Sequence, residues 1–222
     1  MSDAKAAILG RLRRAGPVPV PALPEWSVSV LPEERLGSFR ERLEASHAEV
    51  LTSTSGEWPS LLAERLRARG NERGSSGGIN VLFAPGKPIG RKLADAWRDQ
   101  PDLRLIPYDQ PVEAVKETLV HGVEASVTAT RGGIAETGTL ILWPSVEEPR
   151  LMSLLPPLHV ALVEADLIFG TLTEAMTAQK WSEGLPTNAL LISGPSKTAD
   201  IEQTLAYGVH GPKELMVIIL TH

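Results

Sequence analysis

The spacing of apolar and polar positions divides the chain into two textures. From Ser2 to Ala15, Ala6, Ala7, Leu9 and Leu12 recur among charged residues, which predicts an amphipathic helix stopped by Gly16 and Pro17. The run Pro17-Val-Pro-Val-Pro-Ala-Leu-Pro24 fixes φ repeatedly and removes backbone donors, so it predicts a stiff extended connector. Helical spacing returns from Glu33 to Leu51 through Leu36, Phe39, Leu43 and Val50, and again from Pro59 to Arg69, where Gly70 ends it. Asn71 to Gly78 is a polar, glycine-rich loop.

From Ile79 onward short apolar runs alternate with helical stretches, the pattern of strands joined by crossover helices. Strands are predicted at Ile79–Ala84, Leu103–Pro107, Glu124–Ala129, Thr139–Trp143, His159–Glu164, Ala189–Ser193 and Leu215–Leu220. Helices are expected between them at Ile89–Arg98, Val112–His121, Pro149–Leu154, Thr171–Gln179 and Thr198–Tyr207. The fold class is therefore α/β, with a helical N-terminal segment, 1–78, packing on a main α/β domain, 79–222.

With 222 residues, 42% of them hydrophobic, the chain is long enough to bury one sizeable core. Its net charge of −5 is uneven: residues 1–74 carry 11 Lys and Arg against 10 Asp and Glu, whereas residues 75–222 carry 11 against 17. No basic stripe offers itself to nucleic acid. The absence of cysteine excludes disulfides, thiolate nucleophiles and cysteine-ligated iron–sulfur clusters in this chain. No apolar run approaches the roughly 20 residues that span a bilayer, and the polar N-terminus does not read as a signal peptide, so a cytoplasmic location is expected. The five histidines show no His-x-x-x-His spacing, and no metal site is expected.

Two turns carry the candidate chemistry. Thr130-Arg-Gly-Gly-Ile-Ala-Glu-Thr-Gly138 follows a strand, so in a parallel sheet it belongs at the carboxyl edge, where open α/β folds bind ligands. Gly132, Gly133 and Gly138 would let backbone N–H groups approach a carboxylate or phosphate, Thr137 and Thr139 add hydroxyls, and Glu136 could move a proton. A plain hairpin would also want these glycines and threonines. Ser193-Gly-Pro-Ser-Lys-Thr-Ala-Asp-Ile-Glu202 follows a second apolar run. It would place Ser196 and Thr198 at a helix N-terminus beside Gly194, Lys197 and Asp200, suited to an anion or simply to capping. His210, between Gly208 and Gly211, could transfer a proton. A last strand parallel to its neighbours would leave it at the edge opposite both turns, unless a partner subunit supplied it. His159, at the start of a strand, reads more readily as a buried hydrogen-bonded histidine than as a ligand.

Ile134-Ala-Glu-Thr-Gly-Thr-Leu140, Arg150-Leu-Met-Ser-Leu-Leu-Pro-Pro-Leu-His159, Ser193–Glu202 and Gly208-Val-His-Gly-Pro-Lys-Glu214 together resemble the LUD-domain family, in particular its short LutC/YkgG type. The resemblance runs in continuous order over about 79–222. It implies a three-layer α/β sandwich with a mostly parallel sheet, similar to the NagB/RpiA/CoA transferase-like fold. It also implies membership of a three-component system that oxidises L-lactate to pyruvate, whose other proteins carry iron–sulfur clusters. This chain has no cysteine and no Gly-x-Gly-x-x-Gly fingerprint, so any redox centre must come from those partners.

The expected function is thus a subunit of an L-lactate oxidation complex that binds a small carboxylate such as lactate or pyruvate. Thr137, Gly138, Thr139, Gly194, Ser196, Lys197 and Thr198 would grip it, and Glu136, Asp200 or His210 would handle the proton. Homo-oligomerisation stays open. The alternatives are a non-catalytic assembly or metabolite-sensing protein and, on fold analogy alone, an isomerase or transferase acting on sugar phosphates or CoA esters.

Overall fold

The structure is a computed structural model that describes residues 2–16, 30–72, 77–199, 205–207 and 211–222. In chain order it contains α1 (Ser2–Ala15), α2 (Arg35–Ala45), β1 (Glu49–Thr54), α3 (Trp58–Glu72), β2 (Ile79–Phe83), α4 (Pro88–Ala96) and β3 (Leu103–Pro107). Then follow α5 (Val112–Glu117), β4 (Ala125–Ala129), β5 (Gly132–Ile134), β6 (Thr139–Leu142), α6 (Arg150–Leu154), β7 (Leu158–Glu164), β8 (Ile168–Phe169) and α7 (Leu172–Ala178). The last strands are β9 (Leu190–Ile192), β10 (Lys197–Ala199), β11 (Leu205–Tyr207) and β12 (Glu214–Thr221). The predicted Pro-rich connector at 17–24 lies outside the described residues.

Six strands form a wholly parallel sheet in the order β1-β12-β7-β4-β2-β3. Its central strands are apolar along most of their length because both faces are covered. In β12, Met216, Ile218 and Leu220 pack with Trp58, Leu62 and Leu66 of α3 and Leu93 of α4. Leu215, Val217 and Ile219 point the other way, into a cluster with Phe39 and Leu43 of α2 and Leu140 and Leu142 of β6. That second face is roofed by α2 and a four-stranded sheet, β8-β5-β6-β9, in which β5–β6 and β6–β9 are antiparallel and β5–β8 is parallel. Helices, main sheet and the roof of α2 with the small sheet give the three-layer α/β sandwich. Ala175 of α7 and Trp181 cover the outer side of the small sheet at Ile134 and Ile141.

The N-terminal third contributes a strand to this core. The helix predicted from Glu33 to Leu51 ends at Ala45, and Glu49–Thr54 pairs in parallel with Met216–Thr221. The break is a Schellman closure: His47 N donates to Glu44 O at 2.9 Å and Ala48 N to Leu43 O at 3.0 Å, with His47 in the left-handed region at φ 66°. Arg69 of α3 then bridges Glu49 and Glu214, tying α3 to the amino ends of β1 and β12.

A second correction concerns the predicted helix Thr198–Tyr207. Lys197–Ala199 and Leu205–Tyr207 instead pair as antiparallel strands, Lys197 opposite Tyr207 and Ala199 opposite Leu205. Cross-strand pairing overrides the helical spacing in a segment that also holds Thr198 and Tyr207, good strand formers.

Candidate functional site

The two candidate turns meet. Thr137 Oγ1 lies 2.6 Å from Thr139 Oγ1, and Thr139 Oγ1 lies 2.7 Å from Ser193 Oγ, so a chain of hydroxyls runs from the first turn into the second. Thr139 is the buried middle link. Thr139→Val keeps its shape but strips both neighbours of a partner, and is expected to cost about 1–2 kcal/mol in urea unfolding.

The first turn is nevertheless a packing device. β5 and β6 form an antiparallel hairpin whose tip, Ala135–Gly138, lies against α2. A Cβ on Gly133 would stand 2.6 Å from the Phe39 ring, and one on Gly138 2.7 Å from Arg42 Cβ. The hairpin alternative is thus what the chain adopts, and these glycines face a helix. Glu136 borders a separate cavity of about 570 Å³ with Thr171, Leu172, Glu174 and Thr177. Glu136, Thr137, Gly138 and Thr139 do not line the cavity beside the second turn.

That cavity, about 240 Å³, is walled by Ser193, Gly194, Pro195 and Ser196 on one side and by Gly211, Pro212 and Leu215 on the other. Ser196 N donates to Pro212 O at 2.9 Å, closing the second turn onto the segment that leads into β12. Ser153, Leu154, His159, Leu191 and Ile192 complete the lining. His159 and Leu215 are each the second residue of a parallel strand, so the cavity sits at the amino-terminal edge of the main sheet. The expected carboxyl-edge position is corrected accordingly: after Ala129 the chain leaves the main sheet for the small one, and β9 returns it to the opposite edge.

This geometry separates the candidates from one another. Gly194 and Ser196 line the cavity. Lys197 and Thr198 belong to β10, so neither sits at a helix N-terminus. Asp200 and His210 lie outside the described residues, and β12 is parallel to β7.

Two buried ionisable groups stand out. His159 is 1% exposed; its Nε2 lies 2.8 Å from Thr128 Oγ1, and its Nδ1 has no hydrogen-bond partner among the described residues. Burial holds its pKa down to about 4, so the ring is neutral near pH 7. At the carboxyl edge, Glu148 is 9% exposed and accepts a hydrogen bond from Ala129 N at 3.0 Å through Oε1, while Oε2 is shielded and unpartnered among the described residues. Burial pushes its pKa up to about 7, opposed by the Ala129 amide and by Lys87. Sequence reasoning missed Glu148, which sits in a run, Pro144-Ser-Val-Glu-Glu-Pro149, that reads as an ordinary polar loop. No group of three metal-ligating side chains occurs among the described residues. Nor do they contain a helix long and apolar enough to cross a membrane.

A parallel sheet covered by helices on one face and by a small antiparallel-rich sheet with a helix on the other defines an α/β sandwich protein with a ligand-sized cavity at the sheet's amino edge. A solved structure of a DUF162 family protein from Deinococcus radiodurans shares this fold, with a TM-score of 0.58 at 24% identity over 87% of this chain and 100% of that one. The chain belongs to the LUD domain family, whose model matches residues 36–220. Among its relatives are Lactate utilization protein C of Deinococcus radiodurans, 32% identical over 99% of this chain and 96% of that protein, and Lactate utilization protein C of Bacillus subtilis, 28% identical over 97% and 92%. Uncharacterized protein NMB1437 of Neisseria meningitidis serogroup B is 33% identical over 98% and 94%.

Proposed function

We propose that this chain takes part in lactate utilisation as a cytoplasmic subunit of an L-lactate oxidation complex, and that it binds a small carboxylate in the cavity between the Ser193–Ser196 turn and Gly211–Pro212. The observation that carries this is the closure of the Ser193–Ser196 turn onto Gly211–Pro212 around one cavity of about 240 Å³, whose lining sets serines and glycines among apolar residues. The relatives named for lactate utilisation support the substrate class. Oxidation of lactate to pyruvate releases two electrons and two protons. With no cysteine in the chain to ligate a cluster, the electrons would pass to iron–sulfur clusters expected on partner subunits.

The test is lactate-dependent dye reduction by the purified partner subunits with and without this chain. Activity should fall to background on omission and return on addition; an unchanged rate rejects the proposal. Glu136→Gln, in its separate cavity, should leave the rate intact.

A second reading is favoured by the absence from this chain of any cysteine or dinucleotide fingerprint: assembly or sensing without chemistry. It predicts that Ser196→Leu abolishes lactate binding while the assembled complex still turns over.

A further inference from the structure

We infer that the crevice at the carboxyl ends of β2 and β3 binds a nucleoside, whose ribose hydroxyls are held by Asp109 and whose 5′ end carries no phosphate. This is a second site, at the opposite edge of the main sheet from the carboxylate cavity, and it stands whether or not that cavity takes lactate.

The crevice holds about 520 Å³ and is lined by Pro85 and Gly86 after β2, by Tyr108–Pro111 after β3, and by Val146 and Glu147 of the loop between β6 and α6. Open α/β sheets bind ligands outside the carboxyl ends of their strands, and this volume suits a small organic ligand.

The unit beneath the crevice is β2, a tight turn, α4 and β3, with β2 and β3 adjacent and parallel. Lys87 N donates to Ala84 O at 3.1 Å, so the chain passes at once from strand to helix. Gly90, in the first turn of α4, lies so near the strand end that a Cβ there would stand 1.9 Å from Ala84 O. About 20 residues past this glycine, just beyond the end of β3, comes Asp109. A glycine that lets helix and strand meet, followed at that interval by a carboxylate at the end of the next parallel strand, is how βαβ units hold a ribose. Asp109 is exposed and makes no hydrogen bond or ion pair among the described residues, so its oxygens are open to hydroxyl donors. Tyr108 is half-buried and packs against the cluster of Leu82 and Ala84. With Pro85 and Pro111 it gives the crevice apolar surface that can shelter a flat base.

The same geometry turns a 5′ phosphate away. Gly86 and Gly90 are separated by Lys87-Pro88-Ile89, so the glycine pair that lets a pyrophosphate approach a dinucleotide fold is missing, and Pro88 removes an amide from the first turn of α4. Glu147 covers the turn: a Cβ on Gly86 would stand 3.5 Å from Glu147 Cγ. Ser145 Oγ donates to Glu147 Oε2 at 2.8 Å and Lys87 Nζ lies 3.6 Å from the same oxygen, which together hold this carboxyl below its ordinary range. Glu147 is therefore ionised near pH 7, and a phosphate at Gly86 would meet its charge where an uncharged 5′ hydroxyl would not.

The experiment is calorimetric titration of the full chain and of Asp109→Asn with adenosine, 2′,3′-dideoxyadenosine, AMP and ribose. Wild type should bind adenosine about tenfold more tightly than dideoxyadenosine or AMP, a factor that one charge-assisted hydrogen bond supplies, and more tightly than ribose. Asp109→Asn should bring adenosine down to the level of dideoxyadenosine and leave dideoxyadenosine unchanged. Because Asp109 is exposed and unpaired, the variant should unfold at the same urea concentration as wild type. Absence of adenosine binding, equal affinity for adenosine and dideoxyadenosine, or a preference for the diol that survives in Asp109→Asn overturns the inference. AMP binding as tightly as adenosine overturns the exclusion of phosphate, and ribose matching adenosine overturns the nucleoside. Lactate binding should be the same in Asp109→Asn and wild type, so the two sites are read separately.

Discussion

Glu148→Gln will tilt a stability–pH profile that the wild type keeps nearly level between pH 4.5 and 6.5. In the native protein the Glu148 carboxyl titrates at about 7 against an ordinary 4.5. A raised native pKa means that the stabilisation is complete below pH 4.5 and is lost as pH rises through 7. Its size is about 3 kcal/mol, because each pH unit between the ordinary and the native pKa is worth about 1.36 kcal/mol. His159 works in the opposite sense. Its native pKa is about 4 against an ordinary 6.5, so its contribution is complete above pH 6.5 and is lost as pH falls toward 4, again about 3 kcal/mol. Between pH 4.5 and 6.5 the two slopes have equal size and opposite sign, and they offset each other. Removing the Glu148 proton site exposes the histidine slope, so the Gln variant should gain about 3 kcal/mol from pH 4 to 6.5 in urea unfolding and stay level above it. His159→Asn should show the mirror image, losing stability from pH 4.5 to 7. A Gln variant whose profile parallels the wild type would show that Glu148 is not a buried, high-pKa carboxyl in solution.

The parts of the fold legible in the sequence are those where burial on both faces writes a continuous apolar run. His159–Glu164 and Leu215–Leu220, buried along most of their length, fall within one residue of the observed strands at each end, and the partly buried edge strand Leu103–Pro107 also has the predicted bounds. The strand Glu49–Thr54 was hidden because Val50 continues the helical spacing of Phe39 and Leu43, and because the helix stops on His47 where a glycine would have announced the left-handed turn. The site was legible only in part for a different reason. Local sequence marks a turn rich in glycine and hydroxyls, but whether its glycines face a ligand or a helix depends on what tertiary packing brings above them. Gly194 and Ser196 received a cavity; Gly133 and Gly138 received α2. His159 could be recognised as buried from its place at the start of an apolar strand, yet its contact with Thr128 and its unmatched Nδ1 depend on packing that local sequence does not show.

Gly138→Ala decides between those two meanings of glycine in the first turn. Gly138 adopts φ 60°, a left-handed conformation that costs an alanine about 1 kcal/mol. Its added Cβ would stand 2.7 Å from Arg42 Cβ, 2.9 Å from Leu43 N and 3.0 Å from Arg42 C. None of these is the end of a flexible side chain, so relief requires α2 to move off the small sheet, away from the cluster that Phe39 and Leu43 anchor. Overpacking of this kind adds about 1–3 kcal/mol, giving an expected loss of about 2–4 kcal/mol in urea unfolding. Binding of lactate by the protein that remains folded should be unchanged, because Gly138 does not line the cavity. Gly37→Ala supplies the control on the first turn of the same helix: nothing lies within 4 Å of its Cβ, and replacing a helical glycine there should stabilise by about 0.5–1 kcal/mol. If Gly138→Ala instead left stability intact and abolished carboxylate binding, the first turn would be a ligand loop after all, and its packing against α2 would not hold in solution.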